Sequence, residues 1–211
     1  MDKLNNMNYK SKSNDSFNSR LRFYVFKCAL TKEDLHKKAF LEFDVDENPA
    51  LEFVELYITE YQQFESNHKI VKHNKSKRDN NALYSKMKVL DNENKTEIDS
   101  WREDYFKDVF KKKLNESDFK KFGKVKCCGY CGITLDEINE LASNKKLFKK
   151  NERGFNLELD RKSPNKEYST KNCIMACYWC NNAKTDEFSA EEFASIGKAI
   201  GAVLRNRLLK N

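Results

Sequence analysis

Two short cysteine turns constrain this 211-residue chain more than anything else in it: Cys128-Gly-Tyr-Cys131 and Cys177-Tyr-Trp-Cys180. With two residues between the thiolates, both sulfurs of one turn can face a single ion, and Gly132 behind the first pair eases the tight bend. Two such turns supply four soft ligands, the usual closed shell of a structural Zn2+ site. The alternative is a set of buried free thiols, against which the paired spacing argues. Cys127 and Cys173 lie nearby and are spares in this register. Four thiolates leave no open position for a substrate, so any chemistry must belong to other residues.

Composition narrows the setting. Six of the seven cysteines fall between positions 127 and 180, a distribution unlike a disulfide framework, and the chain reads as cytoplasmic. No segment is apolar for long enough to cross a membrane, and residues 1–20, rich in Asn, Ser and Lys, lack the apolar core of a signal peptide. They read as a disordered leader. The formal net charge of +7 leans toward a polyanionic partner. Part of that charge is concentrated: between Lys107 and Lys126, eight lysines face only Asp108, Glu116 and Asp118. Some complement a helix C-terminus, and the stretch as a whole is a candidate for phosphate contact.

The elements can be placed coarsely. Leu21–Leu30 is an apolar run, either a strand or part of a buried helix. Thr31 with Asp34 suggests an N-cap for a short helix toward Phe43. Asn48-Pro49 opens an amphipathic helix on which Leu51, Val54, Tyr57, Ile58, Tyr61 and Phe64 recur at three and four, aromatics that belong to a core. Residues 68–78 read as a basic loop. A helix is expected from Ile98 to Lys113, and another from Leu135, started by a Thr134/Glu137 capping box. Phe155–Leu159 and Cys173–Ala176 read as short strands. Ser189 and Glu192 form a second capping box, with Phe188 and Phe193 as a hydrophobic staple, opening a helix to Leu209.

Between and behind the cysteine turns stand Leu159-Asp160-Arg161, Pro164, Tyr168, Asn172, then Asn181 directly after Cys180, and Lys184. This order resembles the zinc-bearing members of the HNH (ββα-metal) endonuclease family. It covers roughly the 60 residues up to Lys184 and nothing before Cys128. Together with the helices read from pattern upstream, the resemblance gives an α+β chain: a helical N-terminal region with a basic connector over residues 21–123, then a zinc-stapled module with a C-terminal helix over 124–211. It further implies that Asp160 and Asn181 form a hard oxygen shell suited to Mg2+ or Mn2+, that Asn172 pins the loop between the strands, and that Lys184 stabilises transition-state charge.

One position departs from the family. The histidine that serves as general base there is Arg161 here, and the three histidines, His36, His68 and His73, all lie in the N-terminal half. Arginine stays protonated and cannot be that base, though it can grip a phosphate oxygen. Tyr168, in the loop between the strands, is the candidate replacement, because a divalent ion and Arg161 would both favour its ionised form. A tyrosine that simply packs its ring on the loop is the competing reading. The function implied is metal-dependent hydrolysis of phosphodiester bonds, in double-stranded DNA before RNA, with a homodimer as one way to cut both strands. A ribonuclease on the same scaffold, or a zinc-bearing nucleic-acid-binding module with a decayed site, are the alternatives.

Overall fold

The computed structural model describes residues 9–31, 33–45, 95–147, 154–164 and 166–209. The expected helix behind Asn48-Pro49 and the basic loop at 68–78 lie outside them. The chain is α+β, mostly helical with one small antiparallel sheet. It divides into two compact units, one of residues 10–113 and 165–167, the other of 1–9, 114–164 and 168–211.

Among the described residues, the first unit holds helix α1 (Tyr9–Thr31), α2 (Lys37–Glu42) and α3 (Lys95–Asp104). The last continues through a π-helical turn, Tyr105–Phe110, into Lys111–Lys113. Phe17, Leu21, Tyr24, Val25 and Cys28, spaced by three and four, are the buried stripe of α1. Residues 9–20 are therefore helix, not a disordered leader. Ser13, Ser16 and Arg20 continue the buried stripe toward the N-terminus, so no apolar period marks it. The turn after α1 also differs from expectation. Thr31 belongs to α1 itself, and α2 opens behind extended His36. The Tyr24 hydroxyl accepts from the His36 N–H and donates to its carbonyl, which fastens that turn.

Aromatic rings fill the centre of this unit. Phe40 stacks on Trp101 with ring centroids 5.4 Å apart, and Phe17 meets Tyr105 edge-on at 5.7 Å. Among them lies a buried ion pair. The Arg20 guanidinium donates to both carboxylate oxygens of Glu167, at 2.8 and 3.2 Å, and to the carbonyls of Phe40 and Leu41. The Tyr105 hydroxyl donates to the same carboxylate, and Lys113 pairs with it at 3.1 Å. The three lysines expected at the end of α3 are thus not all available to a phosphate.

In the second unit, helix α4 (Glu116–Phe122) lies within the basic stretch. Asn115 caps it by accepting the Asp118 N–H. Helix α5 (Leu135–Ser143) carries the complete Thr134/Glu137 capping box. Strand β1 (Glu158–Arg161) pairs antiparallel with β2 (Cys173–Ala176), Asp160 opposite Ile174 and Arg161 opposite Cys173. β1 begins later than its alternation suggests because pairing with β2 sets its ends; Phe155 stays exposed outside it. Then come α6 (Tyr178–Lys184) and α7 (Ala190–Leu209), the latter opened by the Ser189/Glu192 capping box. Ile133, Ile138, Leu141, Leu159, Met175, Phe193 and Leu204 form the core between these elements.

Removing one side of a buried charge pair strands the other side, which typically costs about 3–5 kcal/mol. Glu167→Ala should therefore lower the urea midpoint of the helical unit by that order while leaving the metal content of the cysteine module unchanged. Both are readable from one preparation, by denaturation and by elemental analysis.

Candidate active site and metal centre

The first cysteine turn is shaped by its own backbone. Cys128 N–H donates to Ile133 O, Gly132 N–H to Cys128 O, and Gly132 sits at φ +72°, which favours glycine. Gly129 N–H donates to Met175 O and so docks this turn on β2. Helix α7 approaches from behind at two glycines: a Cβ on Gly201 would lie 2.6 Å from the Cys131 carbonyl, and one on Gly197 3.0 Å from Tyr130 Cβ. Arg205, held by Glu137 at 2.9 Å, reaches the same Cys131 carbonyl. The second turn lies at the start of α6, with Cys177 as its N-cap.

These turns converge. The sulfurs of Cys128, Cys131, Cys177 and Cys180 all lie within 4.8 Å of one another and all four residues are buried. Cys131 and Cys177 are 3.6 Å apart, close to the edge of about 3.8 Å that a tetrahedron with Zn–S bonds near 2.3 Å requires. Hydrogen bonds from Cys131, Cys177 and Cys180 hold Cys128 far below the ordinary thiol range, and crowding by Cys128, Cys131 and Cys177 drives Cys180 far above it. Four thiolates this close fit a divalent, thiophilic metal. Cys127 is exposed, and Cys173 sits in the sheet opposite Arg161.

Next to this centre the last strand residues assemble a polar site. Period-two alternation puts Glu158 and Asp160 on one face of β1 and buried Leu159 on the other. Asp160 Oδ2 accepts the Tyr130 hydroxyl at 2.7 Å and lies 3.3 Å from Lys184 Nζ. Lys184 has no exposed surface, and its ammonium also donates to the Arg161 carbonyl at 2.8 Å. Burial, with the bond to Asp160 second, pushes the Tyr130 hydroxyl well above the ordinary phenol range. Asn181, on α6, donates from Nδ2 to Glu158 Oε2 at 2.5 Å. An amide whose nitrogen is so engaged turns its oxygen elsewhere, as a ligand to a hard cation requires.

The loop between the strands is held by Asn172. Its Oδ1 accepts the Ser163 N–H at 2.9 Å, its Nδ2 donates to Ser163 O at 3.1 Å, and its own N–H donates to Ser169 Oγ. Arg161 pairs with Asp186 at 3.1 Å, and its guanidinium lies over the Tyr168 ring, 5.3 Å from the centroid. Tyr168 is itself buried. The residues singled out from spacing therefore fall into contact groups: Asp160 with Lys184, and Arg161 with Tyr168. Asn181 meets Glu158, while Asn172 binds the loop backbone. Tyr130 and Glu158 were not singled out. The signal for Glu158 was its place two residues before Asp160 on the same strand face; Tyr130, hidden between two cysteines, offered none.

No family model and no curated protein matches the chain. Among solved structures, it is similar to the rare-cutting HNH restriction endonuclease PacI, described for an unusual mechanism of DNA perturbation, with 32% identity over 43% of this chain. The chain spans 64% of that protein's length, and the superposition has a TM-score of 0.35.

The zinc-purified protein should carry one Zn2+ per chain, with an X-ray absorption spectrum of four sulfurs near ~2.3 Å. Cys177→Ser should lose most of that zinc and unfold the module, since structural zinc supplies on the order of 10 kcal/mol of apparent binding energy. Cys173→Ser should retain full zinc.

Proposed function

We propose that this protein is a metal-dependent HNH-type endonuclease hydrolysing phosphodiester bonds in double-stranded DNA, with a structural Zn2+ on Cys128, Cys131, Cys177 and Cys180. The observation that carries the reading is the placement of Asp160 at the end of a strand beside the thiol centre. One of its oxygens is held by Tyr130 and Lys184, and Glu158 and Asn181 share its strand face or contact that face. Asp160 and Asn181 would hold Mg2+ or Mn2+, oxygen ligands suiting such ions. When bound there, the ion polarises the scissile phosphate and stabilises the leaving oxygen.

The chain's own residues do the remaining work. Lys184, wholly buried, supports Asp160 as a positioning residue in place of the direct phosphate contact that its position suggested. Arg161, anchored by Asp186, offers its remaining donors to a phosphate oxygen. Tyr168, under that guanidinium, is the candidate to take the proton of the attacking water. Asn172 keeps the loop carrying Tyr168 closed on Ser163. A second reading, a zinc-bearing nucleic-acid-binding module without catalysis, draws on the lack of any histidine between residues 114 and 211.

A nicking assay on supercoiled plasmid with Mg2+ or Mn2+, run beside single-stranded and RNA substrates, separates these readings. Wild type should nick plasmid, and Asp160→Ala should lose at least about a thousandfold in rate with zinc content unchanged. Plasmid binding without nicking in any metal would favour the non-catalytic module, and RNA cut in preference would favour the ribonuclease.

Tyr168→Phe keeps the ring and removes only the hydroxyl. If the phenol is the base, the cleavage rate should fall about 10²–10⁴-fold with DNA affinity unchanged, and the alkaline-rising limb of the pH–rate profile should move. Rates equal to wild type from acid to alkaline pH would leave Tyr168 as loop packing.

A further inference from the structure

Tyr130 lies inside the first cysteine turn, yet its side chain leaves that turn. Its ring is 9% exposed, edge-on to Phe193 at 5.3 Å, and backed by Gly197, where any larger residue would press on Tyr130 Cβ. Nothing in ligating a metal through Cys128 and Cys131 needs a hydroxyl here; a phenylalanine would fill the same space. The hydroxyl instead ends 2.7 Å from Asp160 Oδ2. The second group on Asp160, Lys184 Nζ, lies 3.3 Å from that same oxygen. The shortest contact of each donor is to Oδ2.

A carboxylate turns about its last torsion with little preference between its two oxygens. Two donors from opposite sides of the sequence, one on a cysteine turn and one on α6, remove that freedom. They decide which oxygen is tied into the protein and which faces outward. Groups that hold a ligand from behind in this way typically change metal affinity by about 10–100-fold when removed.

We infer that Tyr130 is a positioning residue that fixes Asp160 so that Oδ1 alone is presented to the catalytic ion, making the frame of the structural metal centre the support of the catalytic one. This rests on the reading of Asp160 as a ligand of that ion. The side chain touches neither substrate nor ion; its effect passes through Asp160.

The test uses the full-length, zinc-loaded chain and the variants Tyr130→Phe, Asp160→Asn and the two combined. Mn2+ binding is followed by the electron paramagnetic resonance of the free ion, with zinc content measured on the same samples. Tyr130→Phe should weaken Mn2+ binding about 10–100-fold at unchanged zinc content, and should raise the Mn2+ concentration for half-maximal nicking while the rate at saturating Mn2+ returns to within a few-fold of wild type. On the Asp160→Asn background, Tyr130→Phe should add nothing, because its effect passes through the carboxylate. That comparison still decides the matter if the single variant loses some zinc. Mn2+ binding equal in wild type and Tyr130→Phe would overturn the inference and leave the catalytic-ion reading standing. A separate result, wild type and Asp160→Asn binding Mn2+ alike, would remove that reading and the inference with it.

Discussion

The convergence of four sulfurs is the constraint on which the rest of the cysteine module depends. Cys131 and Cys177 are 46 residues apart in sequence and 3.6 Å apart in space. Between them run α5, both strands and the loop that Asn172 closes. The module is small, and the two paired strands have four residues each. A two-stranded sheet of that size is at best marginal alone. What holds it is the pair of cysteine turns at its edges: Gly129 bonded to Met175 O on one side, and Cys177 following directly on β2 on the other. Close helix packing adds to this, since α7 meets the first turn at two glycines where a methyl group would collide with backbone or Cβ. Cysteine turns, sheet and helix are therefore one mechanical unit.

That arrangement separates two kinds of coordination chemistry within a few residues. Thiolates are soft and numerous enough to close a tetrahedron, so that centre is inert toward substrate. Carboxylate and amide oxygens are hard and few, which on the proposed function leaves room for water and phosphate on a second ion. Asp160 and Asn181 are each next to the closed centre in sequence or space: Asn181 follows Cys180 directly, and Asp160 is bonded by the residue before Cys131. On that proposal, a rigid site, costly to deform, sets the geometry of an open one.

Local signals carried much of this organisation in the sequence, and remote ones did not. Both capping boxes, the second strand, the long C-terminal helix and the cysteine register are each coded within a few neighbouring residues, and each stands as expected. The errors share a different cause. Helix α1 extends back to Tyr9 because Arg20 is buried against Glu167, 147 residues away, a partner that no local pattern announces. Without it, Arg20 reads as a solvated end to the apolar stripe. Likewise α4 was hidden inside a lysine-rich stretch, while the cap that starts it is a single Asn115 side chain.

The candidate site residues show the same division more sharply. Asp160, Asn172 and Asn181 were legible as positions because their spacing from the cysteines is characteristic, but their partners were not. Lys184 was expected, from the family resemblance, to stabilise transition-state charge at a phosphate. Folding takes it entirely out of water, and a buried ammonium requires compensating acceptors. Two are supplied, the Asp160 carboxylate and the Arg161 carbonyl, and both lie at the end of β1. Such burial is destabilising by itself, so its presence here calls for a return. That return is a carboxylate held by charge from behind: an apolar residue filling the same volume would leave Asp160 with the Tyr130 hydroxyl alone. The substitution that best suits packing is thus the one that removes the charged half of this support.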